Sequence, residues 1–257
     1  MSESRAEAWE AIGTGEARGG ILIVADHASA YVPDDLDLGI APEVLTRHVA
    51  VDIGVALLAG LLCERMGCDA ILGGVSRLVC DCNREEDAPG LVPLTSDGID
   101  IAGNHLDAAG REARLARFFR PYHEAVAAAI ARSRPALIVS LHSFTPQLET
   151  RPDEQRPWQI GILYNEDERA ARIAIPLLEA AGIVTGDNQP YSGRVLNATM
   201  NRHAEAAGIP YLGIEVRQDL IGDEGGVALW ADRLAPLIGA TWDSFAHTGY
   251  GAARSQA

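Results

Sequence analysis

The 257-residue chain lacks the long apolar run that a transmembrane helix needs. Hydrophobic residues make up 47 % of the sequence but fall into short, separate segments, as they do in globular proteins. Positive charge is scarce, because 21 Lys and Arg residues stand against 36 Asp and Glu residues and the formal net charge is −15. Since no basic stripe is present, neither a nucleic acid nor an anionic membrane surface is an expected partner.

Several signatures of common enzyme classes are also missing. The phosphate-binding motifs GxGxxG and GxxxxGK[ST], the GxSxG elbow of serine hydrolases and the HExxH motif of zincins do not occur. Only four cysteines are present, Cys63, Cys68, Cys80 and Cys82, and their spacing is not that of a CxxC zinc knuckle. We expect buried free thiols and, because the first 20 residues are polar rather than signal-like, a cytoplasmic protein.

Apolar, strand-like segments alternate with segments of helical periodicity along the chain. Strands are predicted at 21–25, 68–79, 136–141, 158–165 and 210–218, and helices at 43–66, 106–133, 167–182 and 226–246. This alternation is typical of an α/β protein with a mostly parallel or mixed central sheet and helices on both faces. No repeat or clear linker interrupts it, so we expect one domain over residues 1–257, with 1–19 and 248–257 flexible.

Two long polar segments, 81–104 and 145–158, separate predicted elements. Each is rich in charged residues, proline or glycine. Connections of this length in a compact domain usually have a binding function. The segment 81–104 is therefore expected to be a functional lid or binding loop, and 145–158 is a second long loop.

Three predicted strands end in residues suited to catalysis. His27 follows ILIVAD, His142 follows ALIVSL, and Glu215 lies near the end of PYLGIEV. The carboxyl ends of parallel strands meet at one edge of an open sheet, where active sites commonly form. Two imidazoles are typical zinc ligands, and a nearby carboxylate can be a general base. The alternatives are hydrogen-bonded core histidines and, for Glu215, a buried ion pair with Arg217.

A third metal ligand is expected in the segment HVAVDIG. Asp52 would lie on the apolar face of the predicted helix 43–66, where an unpaired charge is costly. Helical spacing would place His48 on the same face, as a ligand or as a residue that orients one. The alternative is an Asp52 that faces solvent and pairs with Arg47 or His48.

Arginines and polar side chains in the predicted loops are candidates for binding an anionic substrate. The guanidinium fork matches the two oxygens of a carboxylate. His203 could contact the substrate or stabilise an oxyanion, and the alternative is a histidine on a helix surface. For the arginines, the alternative is a solvated loop with internal salt bridges. The candidates for substrate binding are Asn83, Arg84, Arg194, Arg202 and Arg217.

Six segments, taken in order, resemble the N-formylglutamate amidohydrolase family: DHAS, HVAVDIG, VSRLVCDCNRE, VSLHSF, DNQPYSG and GIEVRQDLI. They cover about residues 20–245. The resemblance implies hydrolysis of N-formyl-L-glutamate to formate and L-glutamate, a late step of histidine breakdown. It also implies a phosphorylase/hydrolase-like α/β fold, similar to zinc carboxypeptidases and the acylamino-acid deacylases related to them.

The same resemblance implies roles for individual residues. In those relatives a His-x-x-Glu pair and a distant histidine bind zinc, and a later glutamate is the base. His27, His142 and Glu215 match these positions. Ala30 stands where the glutamate ligand would be, so Asp52 is expected to complete the site.

The sequence therefore predicts a zinc-dependent amidohydrolase that acts on a small anionic N-acyl amino acid. One Zn²⁺ is expected at His27, Asp52 and His142, with Glu215 and His203 as catalytic residues. Two other functions stay open. One is a related zinc deacylase or carboxypeptidase with a different substrate, and the other is a metal-free binding protein on the same fold. The sequence also leaves open whether the chain forms a homo-oligomer.

Overall fold

The structure is a computed structural model, and it describes residues 7–13 and 20–246. The strands are β1 (Trp9–Ile12), β2 (Ile21–Ala25), β3 (Asp69–Gly73), β4 (Thr95–Ser96), β5 (Ile99–Asp100), β6 (Leu137–Phe144), β7 (Ile160–Leu163), β8 (Thr185–Asp187) and β9 (Tyr211–Arg217). The α-helices are α1 (Val55–Met66), α2 (Ala108–Arg114), α3 (Arg120–Ser133), α4 (Arg169–Ala180), α5 (Ala198–His203) and α6 (Glu224–Ala246). A π-helical segment, Leu115–Phe119, joins α2 to α3, and short 3-10 turns occupy Pro42–Thr46, Pro89–Leu91, Ala102–Asn104, Glu205–Ala207 and Gln218–Leu220.

One mixed, seven-stranded sheet organises the described residues, with the strand order β1-β3-β2-β6-β9-β7-β8. The four strands β3, β2, β6 and β9 are parallel, whereas β1 pairs antiparallel to β3, β7 pairs antiparallel to β9, and β8 pairs parallel to β7. Every residue of β2, β3 and β6 is buried, as expected for strands covered on both faces. Helices flank the sheet: α1 and α4 each pack against α6, and α3 packs against β1, β2 and β3. The predicted α/β class with a mixed sheet is confirmed.

The segment before α1 differs from the prediction. Instead of one helix over 43–66, a 3-10 turn is followed by irregular backbone, and α1 begins only at Val55. Gly54 ends the irregular stretch with a φ of 80°, and a Cβ there would lie 2.1 Å from the carbonyl oxygen of Ile221. Only glycine fits such a position. Asp52 therefore lies on a turn and not on a helix face.

Two further predictions concern the ends of the chain. The segment 1–19 is predicted to be flexible, and this is wrong for Trp9–Ile12, which forms the edge strand β1 and pairs with β3. Pairing at the sheet edge satisfies the backbone hydrogen-bonding groups of this short segment. Its apolar side chains, Trp9 and Ile12, pack on the core, although the residues around them in the sequence are polar. The flexibility predicted for 248–257 concerns residues outside the described ranges.

The long segment 81–104 is more ordered than a loop. It contains the β4–β5 hairpin and two 3-10 turns, and it closes over a second apolar cluster that includes Leu78, Leu91, Ile101 and Phe118. All four cysteines are buried free thiols, as predicted. Among the described residues, none of the helices has the length and apolarity to cross a membrane.

Candidate active site

The predicted site residues meet at the carboxyl ends of the central strands. His142 and Glu215 lie side by side in the β6–β9 register, and His27 follows β2 by two residues. Asp52 reaches the same edge because its backbone N–H donates to the carbonyl of His27 at 2.9 Å. Residues that lie far apart in the sequence thus form one buried group.

His27, Asp52 and His142 offer ligand atoms that all lie within 4.8 Å of one another. The Nδ1 atoms of His27 and His142 are 3.5 Å and 2.8 Å from Oδ2 of Asp52. The two ring centroids are 5.1 Å apart. All three residues are buried, with at most 6 % of their surface exposed.

Two more carboxylates and an arginine surround this group. Nε2 of His27 hydrogen-bonds Oδ1 of Asp81 at 2.8 Å, and Nε2 of His142 lies 3.2 Å from Oδ2 of Asp26. Asp26 is fixed through its other carboxylate oxygen, because Oδ1 accepts hydrogen bonds from Tyr122 and Thr199 at 2.7 Å each. Each imidazole therefore lies between Asp52 and a second carboxylate.

The electrostatic state of the group follows from these contacts. Burial alone would raise the pKa of Asp52, but the neighbouring imidazoles of His27 and His142 outweigh it and hold that pKa below its usual range. Burial would lower the pKa of His142, but hydrogen bonds to Asp26 and Asp52 raise it well above its usual value. Without a metal ion, the protein thus favours ionised carboxylates beside protonated imidazoles.

The residues present fit a divalent cation. Two imidazoles and one carboxylate are a common donor set for catalytic zinc, which keeps a fourth position open. Nδ1 of His27 is buried and has no hydrogen-bond partner, as expected for a nitrogen that coordinates a metal ion. Four buried carboxylates, Asp26, Asp52, Asp81 and Glu215, also concentrate negative charge that a cation would offset.

Glu215 has the environment of a general base. Its Oε2 atom is buried without a hydrogen-bond partner, and its side chain lines the cavity above the sheet. Burial raises the pKa of its carboxyl to about 7, close to the value that suits proton transfer at neutral pH. The alternative of an ion pair with Arg217 is wrong, because Arg217 binds Asp219 at 2.8 Å instead.

A cavity of about 250 Å³ opens above these residues. Its rim comes from the β4–β5 hairpin, the segment 144–151 and the segment 191–197. Gly161 on β7, opposite Glu215, lets the chain just before the segment 191–197 approach, because a Cβ there would lie 2.2 Å from the carbonyl oxygen of Gln189. The volume suits a small molecule.

Of the candidates for substrate binding, Asn83 and Arg84 line the cavity. Arg84 has no close carboxylate partner, since its nearest, Oδ2 of Asp81, is 3.8 Å away. Oδ1 of Asn83 accepts the backbone N–H of Thr199 at 3.1 Å. Both side chains can therefore face a bound substrate.

The structure does not bring the other candidates into the cavity. Arg194 is exposed, Arg202 stacks on the Phe119 ring, and Arg217 is the last residue of β9, near the Trp158 carbonyl. His203 is also elsewhere, with Nε2 2.9 Å from Nδ1 of His123. These four residues have surface or packing roles. The sequence patterns did not distinguish the three arginines from Arg84.

His48 takes neither of its predicted roles at the metal group. Since the segment is not helical, His48 and Asp52 do not share a face. Nε2 of His48 lies 3.1 Å from Oδ2 of Asp97 on the hairpin, and Arg47 pairs with Glu149. The alternative in which Asp52 pairs with Arg47 or His48 is therefore also wrong.

Several residues that contact this group or line the cavity are not in the predicted set of catalytic, metal-binding and substrate-binding residues. Asp26 and Asp81 contact the two histidines, and Arg77 contacts Asp52 and Asp81 at 3.4 Å and 2.8 Å. Tyr191 lines the cavity and stacks on Arg156. The sign of such residues in the sequence is the polar segment DCNR, which directly follows the apolar VSRLV. In the structure, Asp81 of this segment is buried instead of solvated.

Comparisons with a protein family and with solved structures agree with the family resemblance of the sequence. The N-formylglutamate amidohydrolase family model matches residues 19–222. A solved gene product from Agrobacterium tumefaciens is 35 % identical, with a TM-score of 0.87 over 95 % of this chain and 98 % of that chain. The structure of N-formylglutamate amidohydrolase from Ralstonia eutropha is 21 % identical, with a TM-score of 0.73 over 93 % of this chain and 98 % of that chain, and shares the fold. No curated protein matches the chain.

Proposed function

Because this chain belongs to the N-formylglutamate amidohydrolase family, we propose that it hydrolyses N-formyl-L-glutamate to formate and L-glutamate. Family membership supports a hydrolase that acts on an amide bond. The substrate, the zinc dependence and a role in histidine breakdown are our proposals. The observation that carries them is the convergence of His27, Asp52, His142 and an unpartnered Glu215 below one cavity.

We propose that His27, Asp52 and His142 hold one Zn²⁺. A zinc ion bound there would polarise the formyl carbonyl and lower the pKa of the attacking water. Asp26 and Asp81 keep the two imidazoles in place. The buried position of all five residues excludes bulk water and strengthens their electrostatic interactions.

Glu215 moves the proton in this proposal. Its free Oε2 accepts a proton from water as the oxygen adds to the formyl carbon. The same carboxyl then donates the proton to the amide nitrogen as the carbon–nitrogen bond breaks. The products are formate and the free amino group of glutamate. His203 has no part in this scheme, since it contacts His123 outside the cavity.

Arg84 is the proposed partner of a substrate carboxylate. It lines the cavity and is not fully engaged by the protein, whereas Arg77 is already bound to Asp52 and Asp81. Asn83 can add a hydrogen bond through its Nδ2 group. A dianionic substrate needs such cationic help in a chain with a net charge of −15.

The deciding experiment measures formate release from N-formyl-L-glutamate by protein stripped of metal and then reloaded with zinc. We expect activity only after reloading. A panel of N-acyl amino acids and small peptides tests the alternative of a related deacylase or carboxypeptidase, which would prefer another member. No zinc uptake together with no activity on any substrate would favour a metal-free binding protein.

We also propose that the chain forms a single catalytic domain and works in the cytoplasm. The one sheet that organises the described residues supports the first point. The four free cysteines support the second, because thiols persist in a reducing compartment.

A further inference from the structure

The two ring nitrogens of His27 have different environments. Nε2 hydrogen-bonds Oδ1 of Asp81 at 2.8 Å. Nδ1 has no hydrogen-bond partner and points to the metal group, 3.5 Å from Oδ2 of Asp52. Since a carboxylate oxygen can only accept, the hydrogen of this bond lies on Nε2. In the neutral ring, the form that binds a metal ion, Nδ1 is then the nitrogen with a lone pair to offer.

Asp81 is itself fixed from several directions. Its backbone N–H donates to the carbonyl of Leu91 at 2.7 Å, and Oδ1 accepts the backbone N–H of Asn83 at 3.0 Å. Oδ2 accepts from Nη2 of Arg77 at 2.8 Å. With only 3 % of the residue exposed, the carboxylate has no freedom to turn away from His27.

Arg77 connects this carboxylate to the metal group. Its Nη1 is 3.4 Å from Oδ1 of Asp52, while its Nη2 binds Asp81. One guanidinium therefore spans a proposed ligand and the partner of another ligand. The two carboxylates therefore offset the charge of Arg77.

We propose that Asp81 is a positioning residue that fixes the tautomer of His27 and directs its Nδ1 to the metal ion. The proposal rests on the zinc site of the proposed function. A carboxylate behind a metal-bound histidine orients the ring and increases its basicity, and losing it typically weakens metal binding about 10- to 100-fold. Asp81 acts through His27 and does not touch substrate.

The first test measures zinc affinity by competition with a chromophoric chelator. We expect Asp81→Ala to weaken binding about 10- to 100-fold. Asp81→Asn keeps an oxygen that can accept from Nε2, so it should lose less. The matched control is Asp187→Asn, because Asp187 also pairs with an arginine, Arg172, but does not line the cavity. It should bind zinc like the wild type.

The second test needs no substitution, so it stays informative if Asp81→Ala fails to fold. Wild-type protein carrying ¹⁵N-labelled histidine is loaded with ¹¹³Cd²⁺, and the metal–nitrogen coupling identifies the bound ring nitrogen. Coupling to Nδ1 of His27 is the expected result. A purely structural role of Asp81 would not predict which nitrogen binds.

The outcomes separate this inference from the proposed function. If the wild type takes up no zinc or cadmium, the metal site of the proposed function fails and the inference fails with it. If the wild type binds metal but couples through Nε2 of His27, only the role of Asp81 is overturned. Equal zinc affinity in Asp81→Ala and wild type would also overturn only the role of Asp81.

Discussion

The floor and the rim of the cavity are built in different ways. The floor is the set of acidic and imidazole side chains below the cavity: Asp26, His27, Asp52, Asp81, His142 and Glu215. None of these residues is more than 8 % exposed. The rim consists of loop residues that include His48, Asp97, Thr150, Arg151 and Tyr191. On the rim, 63 % of the Arg151 side chain is exposed. The contrast separates a fixed reaction centre from loops that can adapt to a substrate.

The floor is held by two strands and by contacts to the backbone that follows a third. His142 and Glu215 are neighbours in the β6–β9 register, and Asp52 is tied to the backbone of His27. Groups that are held in place before the reaction pay little reorganisation energy during it. The floor should therefore determine kcat and metal binding.

The side chain of Asp97 connects several parts of the rim. It accepts the backbone N–H groups of Glu149 and Thr150 at 2.9 Å each and lies 3.1 Å from Nε2 of His48. Burial would raise the pKa of Asp97, but hydrogen bonds led by that of Thr150 lower it to about 2. Asp97 thus stays ionised and joins the hairpin tip to the segment 145–158. The rim should affect KM more than kcat.

The largest effect is expected for His142→Ala, which removes a proposed metal ligand from the floor. Zinc content should fall to background and formate release should be lost. Zinc at a hundredfold excess over Kd should stabilise the wild type by about 2.7 kcal/mol, or roughly 5–10 °C in Tm, and the variant hardly at all. His105→Ala is the control, since His105 is exposed and outside the cavity. A variant that keeps zinc would remove His142 from the ligand set.

Glu215→Gln should give the next largest effect. We expect kcat to fall by about 10²- to 10⁴-fold while zinc content is unchanged, because the variant lacks a proton acceptor. In the wild type, kcat/KM should decrease as pH falls through about 7, where Glu215 takes up its proton, and the variant should lack this dependence. A wild-type profile that is flat between pH 5 and 8 would speak against Glu215 as the base.

Arg84→Ala should raise KM for N-formyl-L-glutamate by about 10- to 100-fold, the usual cost of losing a charged hydrogen bond. Zinc affinity should stay the same, since Arg84 does not contact the metal group. Arg194→Ala provides the comparison, because Arg194 is exposed and does not line the cavity. Equal KM values for the two variants would exclude Arg84 as the carboxylate partner.

Asp97→Ala should give the smallest change. Loss of its hydrogen bonds should loosen the segment 145–158 and raise KM about fivefold, with kcat within about twofold of wild type. Faster limited proteolysis in this segment would support that reading. Asp100→Ala, in the same hairpin, should change neither value. A larger effect of Asp97→Ala on kcat than on KM would remove the distinction between floor and rim.

Local periodicity in the sequence predicted the sheet and the floor better than the rim. The strands before His27 and His142 are continuous apolar runs, and parallel strands bring their carboxyl ends together without further information. Asp52 was placed on a helix because HVAVDIG has helical spacing, but Gly54 in the left-handed conformation delays the start of α1. The residue was identified although its local structure was wrong.

The rim depends on contacts between segments that sequence patterns do not reveal. Nothing local distinguishes Arg84, which lines the cavity, from Arg194 and Arg202, which do not. Asp97 and Asp81 look like ordinary loop aspartates, yet each binds a histidine about 50 residues away. Their roles arise only from tertiary structure.

Gly161 sets a boundary for redesign of this enzyme. Its missing side chain lets the Gln189 carbonyl rest against the strand next to Glu215. Loop exchange elsewhere around the opening could alter selectivity for the acyl amino acid. Any larger residue at position 161 would push Gln189 and the rim segment 191–197 that follows it outward and admit water beside Glu215, the proposed proton acceptor, so selectivity would widen at the expense of turnover.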